Sequence, residues 1–168
     1  MSDWYVDEDF WRTFGPLMFG EHQFSEAEQQ VRKLLRRLEL EQGQVLDLGA
    51  GPGRHALPLA RAGLEVTAVD SSATLLNELR RRAAEQNLEV ETVHDDMRSF
   101  QRVETFDAVL VMWTTFGYFE DEGDHDRALQ HIRASLAAGG RLVLDLLGLE
   151  TLCRTLEPVH LTEYDDGR

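Results

Sequence analysis

Three glycines and a short series of carboxylates carry the chemistry that can be read in this chain. Gly49, Gly51 and Gly53 fall as G-x-G-x-G directly after the apolar run Val45-Leu46-Asp47-Leu48 and lead into Arg54, His55, Ala56 and Leu57. A glycine-rich turn lets a ligand approach the backbone where no Cβ stands in the way, and it tolerates positive φ. The spacing differs from the G-x-G-x-x-G of a dinucleotide fingerprint, which seats a pyrophosphate on a helix N-terminus. Asp47, two residues before the first glycine, would repel a pyrophosphate and attract an ammonium or a sulfonium. Asp70 follows at the end of another apolar run, and Asp95 and Asp96 at the end of a third.

These groups are useful only if the backbone brings them together, and the patterning says how. Val45 to Leu48 reads as a buried strand, the glycines as a turn, and Arg54 to Ala62-Gly63 as a helix whose Pro58 lies close enough to its start to be tolerated. Leu64 to Asp70 is a second strand. A strand–helix–strand unit crosses over right-handed and puts both C-terminal strand ends on one edge, so Asp47 and Asp70 should face one crevice, where open α/β sheets bind ligands. Asp70 is then placed to accept two ribose hydroxyls. Its alternative is to cap the next helix, a post that Ser71 or Ser72 could fill instead.

The rest of the chain repeats the alternation. A helix from Ala73 to about Gln86 turns Leu75, Leu76 and Leu79 inward and Arg80, Arg81 and Arg82 to solvent. Leu88 to Val93 is a third strand with period two, and it empties into His94-Asp95-Asp96-Met97-Arg98. Phe106 to Trp113, apolar almost throughout, reads as a central parallel strand leading into Thr114-Thr115-Phe116-Gly117-Tyr118-Phe119. Acidic Asp121 to Asp124 opens a helix through Leu136 that Ala137-Ala138-Gly139-Gly140 closes, and Arg141 to Leu147 is strand five. Upstream, Trp4, Phe10, Trp11 and Phe14 mark an aromatic helix that Gly15-Pro16 should end. It reads either as a cap packed on the core or as a lid over a ligand. Ser25-Glu26-Ala27-Glu28 has the form of a capping box for a helix carrying Val31, Leu34, Leu35 and Leu38.

The segment VLDLGAGPGRH resembles the first motif of the class I S-adenosylmethionine-dependent methyltransferases. Asp96-Met97-Arg98 is similar to that family's D-M-R element, Thr115-Phe116-Gly117-Tyr118 to its S-F-G-Y segment, and Leu136 to Leu144 to its L-x-x-G-G-R-L-V-L pattern. The resemblance implies a Rossmann-like three-layer α/β/α sandwich with a mostly parallel sheet, and S-adenosylmethionine as cofactor. It assigns Asp47, Gly49, Ala50, Gly51 and Gly53 to the methionine moiety, and Asp70 to the ribose with Ser71 beside it. Leu75, Asp96 and Met97 fall to the adenine, with Asp95 as the alternative acid. The segment Trp113 to Phe119 would form the wall behind the cofactor and the edge of an acceptor pocket, with Met112 and Trp113 assigned to the cofactor itself.

The same resemblance marks the domain limits: 1–40 as an N-terminal helical cap or lid, 41–148 as the cofactor-binding domain, and 149–168 as a C-terminal extension. The family's seven-stranded sheet ends in an antiparallel hairpin, for which only Gly148 to Arg168 remains. Leu149 to Leu156 reads as helical, Val159 to Tyr164 as at most one short strand, and Asp165-Asp166-Gly167-Arg168 as a turn. Either the chain is cut short or another chain completes the edge, and an open edge beside strand five invites a homodimer.

Composition narrows the partners. At 168 residues, with 42% hydrophobic and 29% charged residues, the chain is the size of one globular domain that needs neither disulfides nor a structural metal. A formal charge of −14 would repel a phosphate backbone, so nucleic acid is an unsuitable substrate and a small molecule the expected acceptor. No apolar run reaches the roughly 18 residues of a membrane span, which makes the cytoplasm the default location. Cys153, the single cysteine, reads as a small buried thiol, and no spacing suggests a metal site. The implied reaction is in-line displacement of a methyl group. His22, His55, His94 and Tyr5 are conceivable bases, and none is singled out as catalytic. The rival readings are a non-catalytic cofactor-binding or interaction module and an NAD-dependent oxidoreductase, which the glycine spacing and Asp47 disfavour.

Overall fold

The computed structural model describes residues 4–155. A single 3₁₀ turn, Trp4–Val6, precedes α1 (Glu8–Met18) and α2 (Glu21–Leu38). The alternating part then runs β1 (Gln44–Leu48), α3 (Ala56–Arg61), β2 (Glu65–Asp70), α4 (Ala73–Glu85), β3 (Glu91–His94), β4 (Phe106–Val111), α5 (Glu122–Ser135), β5 (Leu136–Leu144) and α6 (Leu149–Thr155). The strands form one parallel sheet in the order β3-β2-β1-β4-β5. The chain therefore builds outward from β1 to β3, then crosses back to add β4 on the other side of β1. That reversal is a topological switch point, and the crevice it opens lies above the C-terminal ends of β1 and β4.

Period-two alternation divides the core. Val45, Val66, Ala68, Ala108 and Leu110 pack against Val31 of α2, Leu57 and Leu59 of α3, and Leu76 and Leu79 of α4. Leu46, Leu48, Val69, Val109 and Val111 point to the opposite face, where Phe100, Phe106 and Ile132 of α5 cover them. Burial on both faces explains why β1 and β4 are apolar almost throughout. The result is the expected three-layer sandwich, and the described residues include no antiparallel hairpin beyond β5. The anticipated strand over Val159 to Tyr164 and the closing turn lie outside the described residues.

Several local expectations are corrected. Gly15-Pro16 does not end the first helix, because α1 continues to Met18. The ring of a proline clashes with the N–H and Cβ of the residue before it, and Gly15 has no Cβ; Pro16 also sits only two residues from the helix end, so a single backbone bond is lost. The Ser25-x-x-Glu28 box caps nothing, since α2 starts one turn earlier, with Gly20 as its N-cap and Glu21 in its first turn. Gly139 and Gly140 lie within β5 instead of closing α5. Between the pairs Phe106–Leu136 and Ala108–Arg141, four residues on β5 run opposite one on β4. The glycines accommodate that bulge: a Cβ on Gly140 would sit 2.8 Å from the Phe106 carbonyl oxygen. Cys153 is exposed, not buried, and Arg82 lies over the Phe24 ring at 4.1 Å instead of standing free in solvent.

Candidate functional site

The glycine turn is stitched to β2 before any ligand is considered. Gly49 and Ala50 both donate their N–H groups to the Val69 carbonyl, at 2.8 and 3.0 Å. Gly51 N–H donates to Asp70 Oδ2 at 2.7 Å, and Ser72 N–H to Asp70 Oδ1 at 2.8 Å. Each Asp70 oxygen thus keeps one acceptor direction. Ser72 caps α4 through Leu75 N–H, which leaves Asp70 free of that duty. Burial pushes the Asp70 carboxyl up, against the two backbone donors that hold it down.

Two different reasons account for the three glycines. A Cβ on Gly53 would lie 2.7 Å from Leu79 Cγ, and one on Gly49 would collide with the Thr115 methyl, so both are demanded by packing. Gly51, at φ +55° and lining the cavity, is the one of the three that packing does not demand, and it meets the requirement of close backbone approach to a ligand.

A cavity opens over this turn at the switch point. Its walls include Gly49, Ala50, Gly51, Asp70, Ser71, Leu75, Asp96, Met97, Met112 and Trp113 from the expected set, with Asp95 as well. Gly53 and Asp47 are not on its walls. Asp47 is 1% exposed beneath the turn, with the Ala56 N–H turned toward it and its Oδ2 lacking any hydrogen-bond partner. Burial, and then the charge of Asp70, push its carboxyl up to about 7. It lies close enough to Asp70 to interact electrostatically, but behind the surface that a ligand would touch. The acid pair is also differentiated. Arg98 grips Asp96 through Nε at 2.9 Å and Nη2 at 2.7 Å, whereas Asp95 is held by Asp96 N–H and the Ser99 hydroxyl through Oδ1 alone.

The remaining wall joins the two aromatic stretches that the sequence marks as a cap or lid and as an acceptor-side wall, and adds Phe19, which no sequence signal marks. Trp4, Tyr5, Trp11, Phe19, Tyr118 and Phe119 form an aromatic side. Tyr5 stacks on Tyr118, Trp4 meets Tyr118 edge-on at 5.2 Å, and Trp11 stacks on Phe19. The Glu8 side chain fastens this segment to the start of α4. Glu8 accepts from Ala73 N–H at 2.7 Å, Thr74 N–H at 3.0 Å and the Ser72 hydroxyl at 3.0 Å, so it covers the first turn of α4. Burial pushes the Glu8 carboxyl up, but the bonds from Thr74, Ala73 and Ser72 outweigh it and hold the group below its ordinary value.

Arg54 and His55 also line the cavity. His55 Nε2 lies 3.0 Å from Gln30 Oε1, and burial, followed by the Arg54 charge, depresses its pKa to about 3. It is a neutral hydrogen-bonding group and a poor base at neutral pH. Tyr5 shares the cavity, whereas His22 and His94 are not on its walls. Trp113 and Thr114 sit consecutively at φ +59° and +58°, a left-handed pair that non-glycine residues rarely adopt. Asp145 clamps both, accepting Trp113 N–H on Oδ2 at 3.2 Å and Thr114 N–H on its carbonyl at 2.8 Å. Strain concentrated at a cavity wall is a mark of a functional site.

Among the described residues no group of three His, Cys, Asp or Glu side chains could hold a metal ion, and no helix is long and apolar enough to cross a membrane.

Comparison with known proteins agrees with this geometry. A family model described as a methyltransferase domain matches residues 45–140. The chain is 34% identical over 104 residues to a glycine/sarcosine N-methyltransferase of Aphanothece halophytica, covering 61% of this chain and 39% of that protein. It is 36% identical over 101 residues to a cypemycin N-terminal methyltransferase of a Streptomyces species, covering 60% and 40%. Among solved structures, the PH0226 protein of Pyrococcus horikoshii superposes with a TM-score of 0.72 at 24% identity, over 88% of this chain and 66% of that one. The glycopeptide N-methyltransferase MtfA, solved with sinefungin, gives 0.62 at 29% identity, over 69% and 52%. The chain thus spans about 40% of the length of these two curated relatives.

Proposed function

The chain belongs to the methyltransferase domain family, and from that premise we propose that the switch-point cavity binds S-adenosylmethionine and serves methyl transfer to a small-molecule acceptor. The observation that carries the reading is the Gly51–Asp70 junction, a bare backbone beside a carboxylate with two acceptor directions left. The residues fit the cofactor: Asp70 would take the ribose hydroxyls, Leu75 and Met97 would flank the adenine beside Asp95 and Asp96, and Asp47, its carboxyl pushed up to about 7, would be drawn toward its ionised form by a cationic head group and favour that group without touching it.

When bound, the cofactor supplies a methyl group on a positively charged sulfur that leaves as a neutral thioether, so an acceptor lone pair displaces it in line. The chain's own task is to orient and to exclude water. The sheet side fixes the nucleoside, and Trp4, Tyr5, Trp11, Tyr118 and Phe119 form an apolar side over the reacting atoms. We read residues 4–19 as a lid latched by Glu8. With His55 neutral and weakly basic, the acceptor should arrive with a lone pair already free. The names of the relatives, among them the glycine/sarcosine and N-terminal enzymes, support a small amine as the acceptor class. The charge of −14 weighs against nucleic acid, the cytoplasm is the location proposed, and pairing of two chains along β5 is read by gel filtration.

Titration calorimetry with S-adenosylhomocysteine and with NAD tests the cofactor. Micromolar binding of the first alone supports the reading, and a preference for NAD replaces it with an oxidoreductase. Methyl transfer to any member of an amine panel separates an enzyme from a non-catalytic binding module.

A further inference from the structure

The sequence offered a negatively lined notch suited to a cation, and the structure adds a positive charge to it. Arg54 immediately follows the glycine turn and is 5% exposed, yet it lines the cavity. Its guanidinium lies over the Trp113 ring at 4.3 Å, and among the described residues it has neither a hydrogen bond nor an ion pair. Asp47, Glu26 and Asp145 act on it electrostatically, but none pairs with it. Five N–H donors on a nearly buried guanidinium are costly to leave unused. Burial accordingly pushes the Arg54 guanidinium below its ordinary value.

We infer that Arg54 is the receptor for the α-carboxylate of the bound cofactor, holding it in the plane that Trp113 imposes. The inference rests on the proposed cofactor reading and deepens it. The amino-acid end of that ligand is a zwitterion, and a notch holding only Asp47 and Asp70 would repel half of it. Arg54, on the cavity wall, supplies the positive partner for the carboxylate, while Asp47, behind the turn, acts on the ammonium through its field alone. The left-handed Trp113–Thr114 pair then has a purpose, since it turns the indole face toward the guanidinium.

Calorimetry with S-adenosylmethionine and with decarboxylated S-adenosylmethionine, which keeps the sulfonium, ribose and adenine, tests this without any acceptor. The wild-type protein should bind the carboxylate-bearing ligand more tightly by about tenfold to hundredfold, the range of a hydrogen bond to a charged group. Arg54→Gln should reduce that preference to less than about threefold while leaving affinity for the decarboxylated ligand nearly unchanged. Arg54→Lys, which keeps the charge without the planar fork, should fall between them and serves where the glutamine variant fails to fold. A wild-type protein indifferent to the carboxylate, or a preference that survives both substitutions, overturns the assignment. A wild-type protein that binds neither ligand defeats the cofactor reading itself, a result distinct from either of those.

Discussion

The wall of the cavity that grows out of β1 and β2 and the wall supplied by residues 4–19 differ in what holds them. The first is backbone bonded to backbone: Gly49 and Ala50 to Val69, Gly51 to Asp70, with Gly53 wedged against Leu79. It encloses buried charge, Asp47 beneath and Asp70 beside, that would be cheaper to leave out. The second is aromatic rings and a single carboxylate, Glu8, on the first turn of α4. Trp4 and Phe14 remain substantially exposed. One wall is preorganised and carries the electrostatic strain; the other, on the lid reading proposed above, would open when one side chain lets go. A site that must admit a ligand and then exclude water needs both.

Substitutions in the rigid wall should have the largest effects. Gly51→Val puts a branched side chain at φ +55° on the cavity surface, and calorimetry should detect no S-adenosylhomocysteine binding in a variant whose circular dichroism is unchanged. Normal binding would show that the turn touches nothing. Asp70→Ala should lose roughly 1.5–3 kcal/mol of cofactor affinity by the same measurement, the scale of a hydrogen bond to a charged group.

Asp47 sharpens the comparison through stability. Its carboxyl sits at about 7 in the folded chain against an ordinary 3.8, so the folded state binds the extra proton between those values. Its contribution is whole below about pH 4 and declines as pH rises to about 7. His55, at about 3 against 6.5, runs the other way, whole above pH 6.5 and lost toward pH 3, so the two slopes oppose each other in weak acid. Asp47→Asn removes one of them. The ligand-free variant should gain on the order of 1–3 kcal/mol at pH 8, several degrees in melting temperature, and the gain should shrink toward zero by pH 4. A gap constant with pH would show that the carboxyl is not strained.

The lid should give the smallest effect. Glu8→Gln weakens the cover on α4 and should cost about 1 kcal/mol, the scale of a helix cap, while speeding release of S-adenosylhomocysteine severalfold in stopped flow. Unchanged release would make residues 4–19 a static cap.

The features legible in the sequence were those set by local period and spacing. Alternating apolar runs gave five strands and their order of appearance, and the distance from the glycine turn to Asp70 placed that carboxylate at the crevice. Features decided by long-range contact were not legible. Gly15-Pro16 looks like a stop until Gly15 is seen packed beside Leu75, and Gly139-Gly140 looks like a helix end until β4 requires a bulged partner. Arg54 was read as the start of a helix because nothing adjacent tells which way a guanidinium turns. Its one signal was position, the first cation after a turn shaped for a ligand.

Asp145, the residue after β5, determines more than its surroundings suggest. It holds the backbone of Trp113 and Thr114 in an unfavourable twist, and it directly follows the outermost strand, whose Leu142 and Leu144, with Leu146 and Leu147 just beyond, stand open to solvent. Fraying of that border would let the twist relax and carry the indole away from the arginine it covers. Whatever steadies the margin of the sheet therefore tunes, from outside, how firmly the chamber can grip an acid group.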